Sequence, residues 1–160
     1  MSTTARVPSE RHVGSPVASY RVVFDVIERW LALLGVLLCA LQFSFAALGF
    51  WGAEEKPGDQ AHGMAAFAPH AVNGQILGYL AILTLIAGIV SRANVAAWLI
   101  PLVLAVLLML VQGLLVGLGF EVSKWYGFLH ALDGAIISAG FVWLMIDRFR
   151  HPLRTRATTA

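Results

Sequence analysis

Four apolar segments follow one another along the chain, each about as long as a membrane-spanning helix. They cover about residues 30–51, 70–90, 96–120 and 125–146. No Asp, Glu, Lys or Arg lies between Arg29 and Glu54, and the fourth segment carries only Asp133 before Asp147. A helix needs about 20 mainly apolar residues to cross a bilayer. The pattern therefore predicts an all-α, integral membrane four-helix bundle.

Local signals mark where these helices begin. Pro69 suits the first turn of the second helix, where its missing N–H costs little. Ser123 is a candidate N-cap for the fourth helix. Residues 21–29 mix charged and apolar side chains, so we expect a helical approach lying at the membrane surface that leads into the first span.

Regions flanking the spans give the predicted domain limits and orientation. Residues 1–20 have no apolar period and predict a disordered cytoplasmic tail. The transmembrane domain then takes residues 21–147, and residues 148–160 form a basic cytoplasmic tail. Nine of the eleven Lys and Arg residues lie in the N-terminal segment, the 91–95 turn and the C-terminal tail. By the positive-inside rule both termini are cytoplasmic, as in a multi-pass protein of a bacterial-type plasma membrane.

Composition excludes several other classes of protein. Hydrophobic residues make up 59% of the 160 residues and charged residues 12%, whereas soluble chains carry about 25% charge. A net charge of +2 does not indicate a nucleic-acid partner. The expected partner is the lipid bilayer, with a second membrane protein or another copy of the chain left open. No phosphate-binding loop, HExxH, CxxC or nucleophile elbow is present, so no enzyme active site is indicated.

A short polar pattern occurs once in each half of the chain. His70-Ala71-Val72-Asn73-Gly74 opens the second apolar segment, and His130-Ala131-Leu132-Asp133-Gly134 opens the fourth. Gln42 and Gln112 lie in the preceding segments, and each is followed five residues later by a small residue and Leu-Gly-Phe. The pattern predicts two parallel helical-hairpin repeats whose polar side chains converge in the outer half of one bundle.

The two histidines allow a haem b to bind between the second and fourth spans, near the outer leaflet. His70 and His130 would ligate the iron, because two imidazoles at similar depth on separate helices form such a site. The neighbouring carboxamides would hydrogen-bond a propionate or an imidazole, and the glycines would leave room for the ring. The candidate cofactor-binding residues are the members of the repeated pattern: His70, His130, Gln42, Gln112, Asn73, Asp133, Gly74 and Gly134.

Two other interpretations stay open. A cluster of Gln, Asn and His can simply tie spans together through hydrogen bonds, as in a non-catalytic accessory or structural membrane subunit. Alternatively, a carboxylate inside a membrane span is by default a candidate functional group. Asp133, with His130 three residues earlier, would then suit a small proton-coupled carrier.

The pattern Gln-x4-Gly/Ala-Leu-Gly, with a histidine opening each returning segment, resembles the DUF6220 group of small four-helix bacterial membrane proteins. The likeness covers about residues 31–148 and implies the architecture, since no function is settled for that group. A more distant likeness is to haem-carrying helical bundles such as haem A synthase and the cytochrome b561 type. It implies haem ligation by His70 and His130 alone, because the chain lacks the further histidine pair of a two-haem electron path.

Overall fold

The structure, a computed structural model, describes residues 17–154. Its four long helices are each long and apolar enough to cross a membrane, and no strand is found in the described residues. This confirms the predicted all-helical architecture of a multi-pass membrane protein. Most of the predicted tail at residues 1–20 lies outside the described range. The long helices are Ser19–Glu54, Ala68–Ser91, Val95–Glu121 and Lys124–Arg150.

The four long helices pack in a ring that follows chain order. Each contacts the next, and the fourth returns to the first. The second and fourth helices stand on a diagonal, and within the described residues their backbones do not come close. At one end, which we call the terminal end, Asp25 of the first helix accepts a hydrogen bond from the Leu153 N–H, 3.1 Å. The other end, called the histidine end, carries His70 and His130.

Short polar caps end and begin these helices. Ser123 accepts from the Trp125 N–H at 3.4 Å, and Pro69 lies in the first turn of the second helix, so both sequence predictions are confirmed. Asn94 caps the third helix by accepting from the Ala97 N–H at 2.9 Å. Arg92 adopts a left-handed conformation with φ 48°. That conformation lets a very short turn join the second and third helices.

The middle of the bundle is apolar and depends on close approach of the helices. Leu77, Leu104, Ile137 and Phe141 are buried there. A Cβ added at Gly35 would overlap the Phe141 ring, so the glycine allows the first and fourth helices to meet around that side chain. Lipid tails are as apolar as leucine, and association in a membrane therefore depends on such van der Waals packing.

Two regions differ from the sequence predictions. Residues 21–29 do not form a separate surface approach, because they are the start of an unbroken first helix whose Asp25 and Glu28 are fully buried. The acidic connection after the first helix contains a short additional helix, Gln60–Ala66, capped by Asp59, which accepts from the His62 N–H at 3.0 Å. Its apolar pattern is too short to be read from sequence.

The third helix contains two local irregularities. Pro101 lies inside it, and proline has no N–H to offer the carbonyl four residues earlier, that of Ala97. The second helix packs against that carbonyl: a Cβ added at Gly88 would overlap the Ala97 oxygen. The second irregularity begins six residues after Pro101, where Leu107–Val111 forms a π-helical turn. Such a turn shifts the register of the helix that follows.

Replacing Gly88 by alanine tests the packing of the second helix on the third. The added methyl group meets backbone atoms of Ala97, which cannot rotate away as a side chain would. We expect a loss of about 1–3 kcal/mol in the free energy of unfolding, as for other overpacked positions. The measurement is reversible unfolding by SDS in mixed micelles.

Gly117→Ala is the matched control, since an added Cβ there meets nothing within 4 Å. It should leave stability unchanged or raise it by up to about 1 kcal/mol through helix propensity. Equal stability of the two variants would contradict the described packing.

Candidate functional site

Gln42 ties the first helix to the start of the second. Its Nε2 donates to the His70 carbonyl at 3.0 Å, and its Oε1 accepts from Asn73 Nδ2 at 2.6 Å. Asn73 also donates to the Leu38 carbonyl at 3.0 Å and is only 4% exposed. A polar side chain within an apolar segment must find such partners. These hydrogen bonds therefore join the first helix, at Leu38 and Gln42, to the first turns of the second helix, at His70 and Asn73.

Gln112 makes equivalent contacts in the second hairpin. Its Nε2 donates to the His130 carbonyl at 3.1 Å and to Asp133 Oδ2 at 2.9 Å. Asp133 is 7% exposed. An ionised carboxylate can only accept, whereas an asparagine amide also donates. This difference explains why the Gln112 amide nitrogen donates to the Asp133 side chain, whereas the Asn73 amide donates to the Gln42 side chain.

The tautomer of His70 follows from its neighbours. Its Nδ1 lies 3.1 Å from the Gln42 backbone oxygen, which can only accept, so Nδ1 carries the proton. Its Nε2 lies 3.2 Å from the Gln42 side-chain nitrogen, which donates, so Nε2 presents a lone pair. A histidine that binds a metal usually donates its other ring N–H to a carbonyl or carboxylate in this way.

The two histidines face each other across the diagonal of the bundle. Their ring centroids are 6.1 Å apart, with 61° between the ring planes. Two imidazoles bound to opposite sides of one metal ion would have centroids about 6.4 Å apart, because each metal–nitrogen bond is about 2.0 Å. His130 Nδ1 is buried and has no hydrogen-bond partner among the described residues. The centroid separation is close to that value, but both ring nitrogens of His70 contact Gln42, so an ion shared by the two rings would require His70 Nε2 to release the Gln42 amide.

A metal held here needs further ligands of its own. Across residues 17–154, no group of three or more His, Cys, Asp or Glu side chains is placed to hold a metal ion. A bare zinc ion prefers four ligands, whereas haem brings four ring nitrogens and needs at most two from the protein. Two histidines alone therefore fit haem iron better than a bare ion.

The two glycines do not leave the space that the sequence analysis assigned to a macrocycle. A Cβ at Gly74 would lie 3.2 Å from Gln42 Nε2, and one at Gly134 would lie 3.8 Å from Gln112 Nε2. The glutamine amides therefore use that space. Within the described range, Gln112–Glu121 comes close to the fourth helix but not to the second.

The structure brings the six polar residues that sequence analysis selected into two hydrogen-bonded groups whose histidine rings lie close together. Gly74 and Gly134 lie beside the two glutamine amides. Sequence reasoning missed the π-helical turn Leu107–Val111, which directly precedes Gln112. Turns of this kind are frequent at functional sites. No residue pattern in the segment signals it.

Fold and site together define a four-helix bundle suited to a membrane, with two glutamine-held histidines facing each other at one end. No protein-family model, curated protein or solved structure matches the chain.

Replacing Gln42 by leucine tests the hydrogen bonds of the first hairpin. The variant keeps the side-chain volume but loses the bonds to His70 and Asn73. Hydrogen bonds between membrane helices contribute about 0.6 kcal/mol on average and up to about 1.7, so we expect a loss of about 1–3 kcal/mol in unfolding free energy. Ser44→Ala is the control, since that exposed hydroxyl bonds only to Ala40 of its own helix.

Coupling between Gln42 and Asn73 gives a sharper test. Asn73→Leu alone should also destabilise the protein, and the double variant should lose less than the sum of the two single losses. Strict additivity would show that the two side chains do not interact.

Proposed function

We propose that this protein holds one haem b between the second and fourth helices at the histidine end, with His70 and His130 as axial ligands. The observation that carries the proposal is the 6.1 Å separation of the two imidazoles on diagonal helices. The haem would supply one-electron redox chemistry. With a single histidine pair, the chain holds one such group near one face of the membrane.

Each histidine would have a distinct structural support. The Gln42 backbone oxygen accepts the Nδ1 proton of His70, so Nε2 would be the ligand atom once it releases the Gln42 amide nitrogen. The Gln112 amide bonds the His130 carbonyl and fixes the start of the fourth helix. These two hydrogen bonds matter for the proposal because contacts behind a ligating ring orient it and raise its basicity. His130 Nδ1, buried without a partner, is the position that gains most from a ligand.

The membrane placement is part of the same proposal. Both termini lie in the cytoplasm of a bacterial-type cell and the histidine end faces outward, in a plasma membrane. Support comes from the sequence, because nine of the eleven Lys and Arg residues lie in the N-terminal segment, the 91–95 turn and the C-terminal tail. The equivalent contacts of Gln42 and Gln112 support the interpretation as two parallel hairpin repeats, and the resemblance to the DUF6220 group agrees with this architecture.

A second candidate function is that of an accessory membrane subunit without a cofactor. One observation favours it: both ring nitrogens of His70 already contact Gln42, so this half of the cluster is satisfied without a ligand. In that case the chain would act through packing against another membrane protein or a second copy of itself.

Haemin titration of the purified protein separates these two functions. We expect saturation at one haem per chain and, on reduction, the sharp bands of a low-spin b-type haem. His70→Ala and His130→Ala each remove one iron ligand and should weaken haem binding at least tenfold, about 1.4 kcal/mol.

His62→Ala is the matched control, because that ring lies on the short helix Gln60–Ala66 and bonds the Gly52 carbonyl at 2.9 Å, away from the histidine pair. It should bind haem as the wild type does. A preparation that stays colourless with added haemin would contradict haem binding and favour the accessory subunit.

Cysteine labelling in intact cells tests the orientation. In a Cys39→Ala background, Lys56→Cys should react with a membrane-impermeant maleimide from outside. Arg150→Cys, exposed at the opposite end of the bundle, should react only after lysis. The reverse labelling pattern would place the termini outside.

A further inference from the structure

The terminal end contains a second buried polar cluster, far along the bundle from the histidines. Asp25, Glu28 and Arg148 are each 0% exposed. Asp25 accepts from Arg29 at 2.7 Å and from Arg148 at 3.5 Å, and Arg148 also pairs with Asp147. The cluster joins the first and fourth helices, and it plays no part in the proposed haem site.

Glu28 is the member of this cluster whose hydrogen bonding is incomplete. Its Oε2 accepts from the Ser91 hydroxyl at 3.2 Å, at the end of the second helix. Its Oε1 is buried and has no partner among the described residues. An ionised carboxylate without donors is costly to bury, whereas a protonated carboxyl carries no charge to compensate.

The charges around Glu28 also favour its protonated form. The cluster contains three carboxylates, those of Asp25, Glu28 and Asp147, and two guanidinium groups, those of Arg29 and Arg148, which pair with Asp25 and Asp147. This leaves one negative charge in excess when all three acids are ionised. Two further charged or titratable groups lie nearby, Arg21 and His151, and neither is hydrogen-bonded to Glu28 among the described residues.

Arg21 donates to the backbone oxygens of Ser91 and Arg92, at 2.8 and 2.7 Å. His151 lies on the outer side of Asp147 with its ring 3.0 Å away, and 67% of its side chain is exposed. One bound positive charge at Glu28 would therefore balance the buried groups.

We propose that Glu28 is a proton-binding site, occupied while the terminal end is packed and emptied when the first helix separates from the second and fourth. A proton fits better than a metal cation, because hard cations require several oxygen ligands, whereas within residues 17–154 Ser91 is the one side chain hydrogen-bonded to Glu28. The pH of the aqueous phase at this end then controls how firmly the three helices stay together.

The pH dependence of unfolding tests this site. Because the packed protein holds the proton and the unfolded chain releases it, raising the pH favours unfolding. The effect begins above about pH 4.3, where an unfolded glutamate is ionised. In that range the unfolding equilibrium constant should rise by up to about tenfold more per pH unit in the wild type than in Glu28→Gln.

The Gln variant is neutral at every pH and keeps the shape of the side chain. Glu121→Gln, at an exposed position, is the control and should keep the full wild-type slope. An unchanged slope in Glu28→Gln would overturn the proposal. If that variant does not fold, infrared difference spectra of the wild type decide: the C=O band of a protonated carboxyl, lost at high pH, supports the site, and its absence at all pH values overturns it.

A sodium ion is distinguished from a proton by one further comparison. At fixed pH, replacing K⁺ with Na⁺ should leave wild-type stability unchanged. A stabilisation by Na⁺ that Glu28→Gln abolishes would overturn the proton assignment in favour of a cation.

Discussion

Polar side chains placed within apolar helices must find partners inside the protein, and this requirement governs the arrangement of the bundle. Gln42 and Gln112 meet it at the histidine end by bonding the backbone and side chains that open the next helix. At the terminal end, Arg148 and Asp25 meet it with charged groups. Because an unpaired polar group in hydrocarbon is costly, these contacts fix which helices are neighbours and at what level they meet.

The apolar middle of the bundle contributes proximity rather than specificity. Gly35 and Gly88 allow the helices to approach where a Cβ would overlap Phe141 or the Ala97 backbone. Such packing lets the two hairpins approach each other, whereas the glutamine contacts at the histidine end tie the helices within each hairpin. One consequence is that the two histidines come to face each other on diagonal helices, at a separation suited to one metal ion. The other is that Glu28 is buried with one oxygen unsatisfied.

Much of this could be predicted from the sequence because its signals are local and periodic. The four apolar segments, the Ser123 cap and the repeated Gln and His positions all depend on short spacings that survive folding. Asp25 and Glu28 were expected near a surface, since a charged run before a span usually stays there. Their burial depends on Arg148, 123 residues away from Asp25, and no local pattern indicates that pairing. The π-helical turn before Gln112 and the use of glycine space by the amides are likewise outcomes of tertiary packing.

Convergence of the two imidazoles on one iron is the central claim, and the electron paramagnetic resonance spectrum of the haemin-loaded wild-type protein tests it most directly. Two histidine ligands should give the low-spin ferric signal of a six-coordinate haem. A high-spin signal in the saturated protein would mean that His70 and His130 do not share the iron, and would leave the histidine end with a purely structural role.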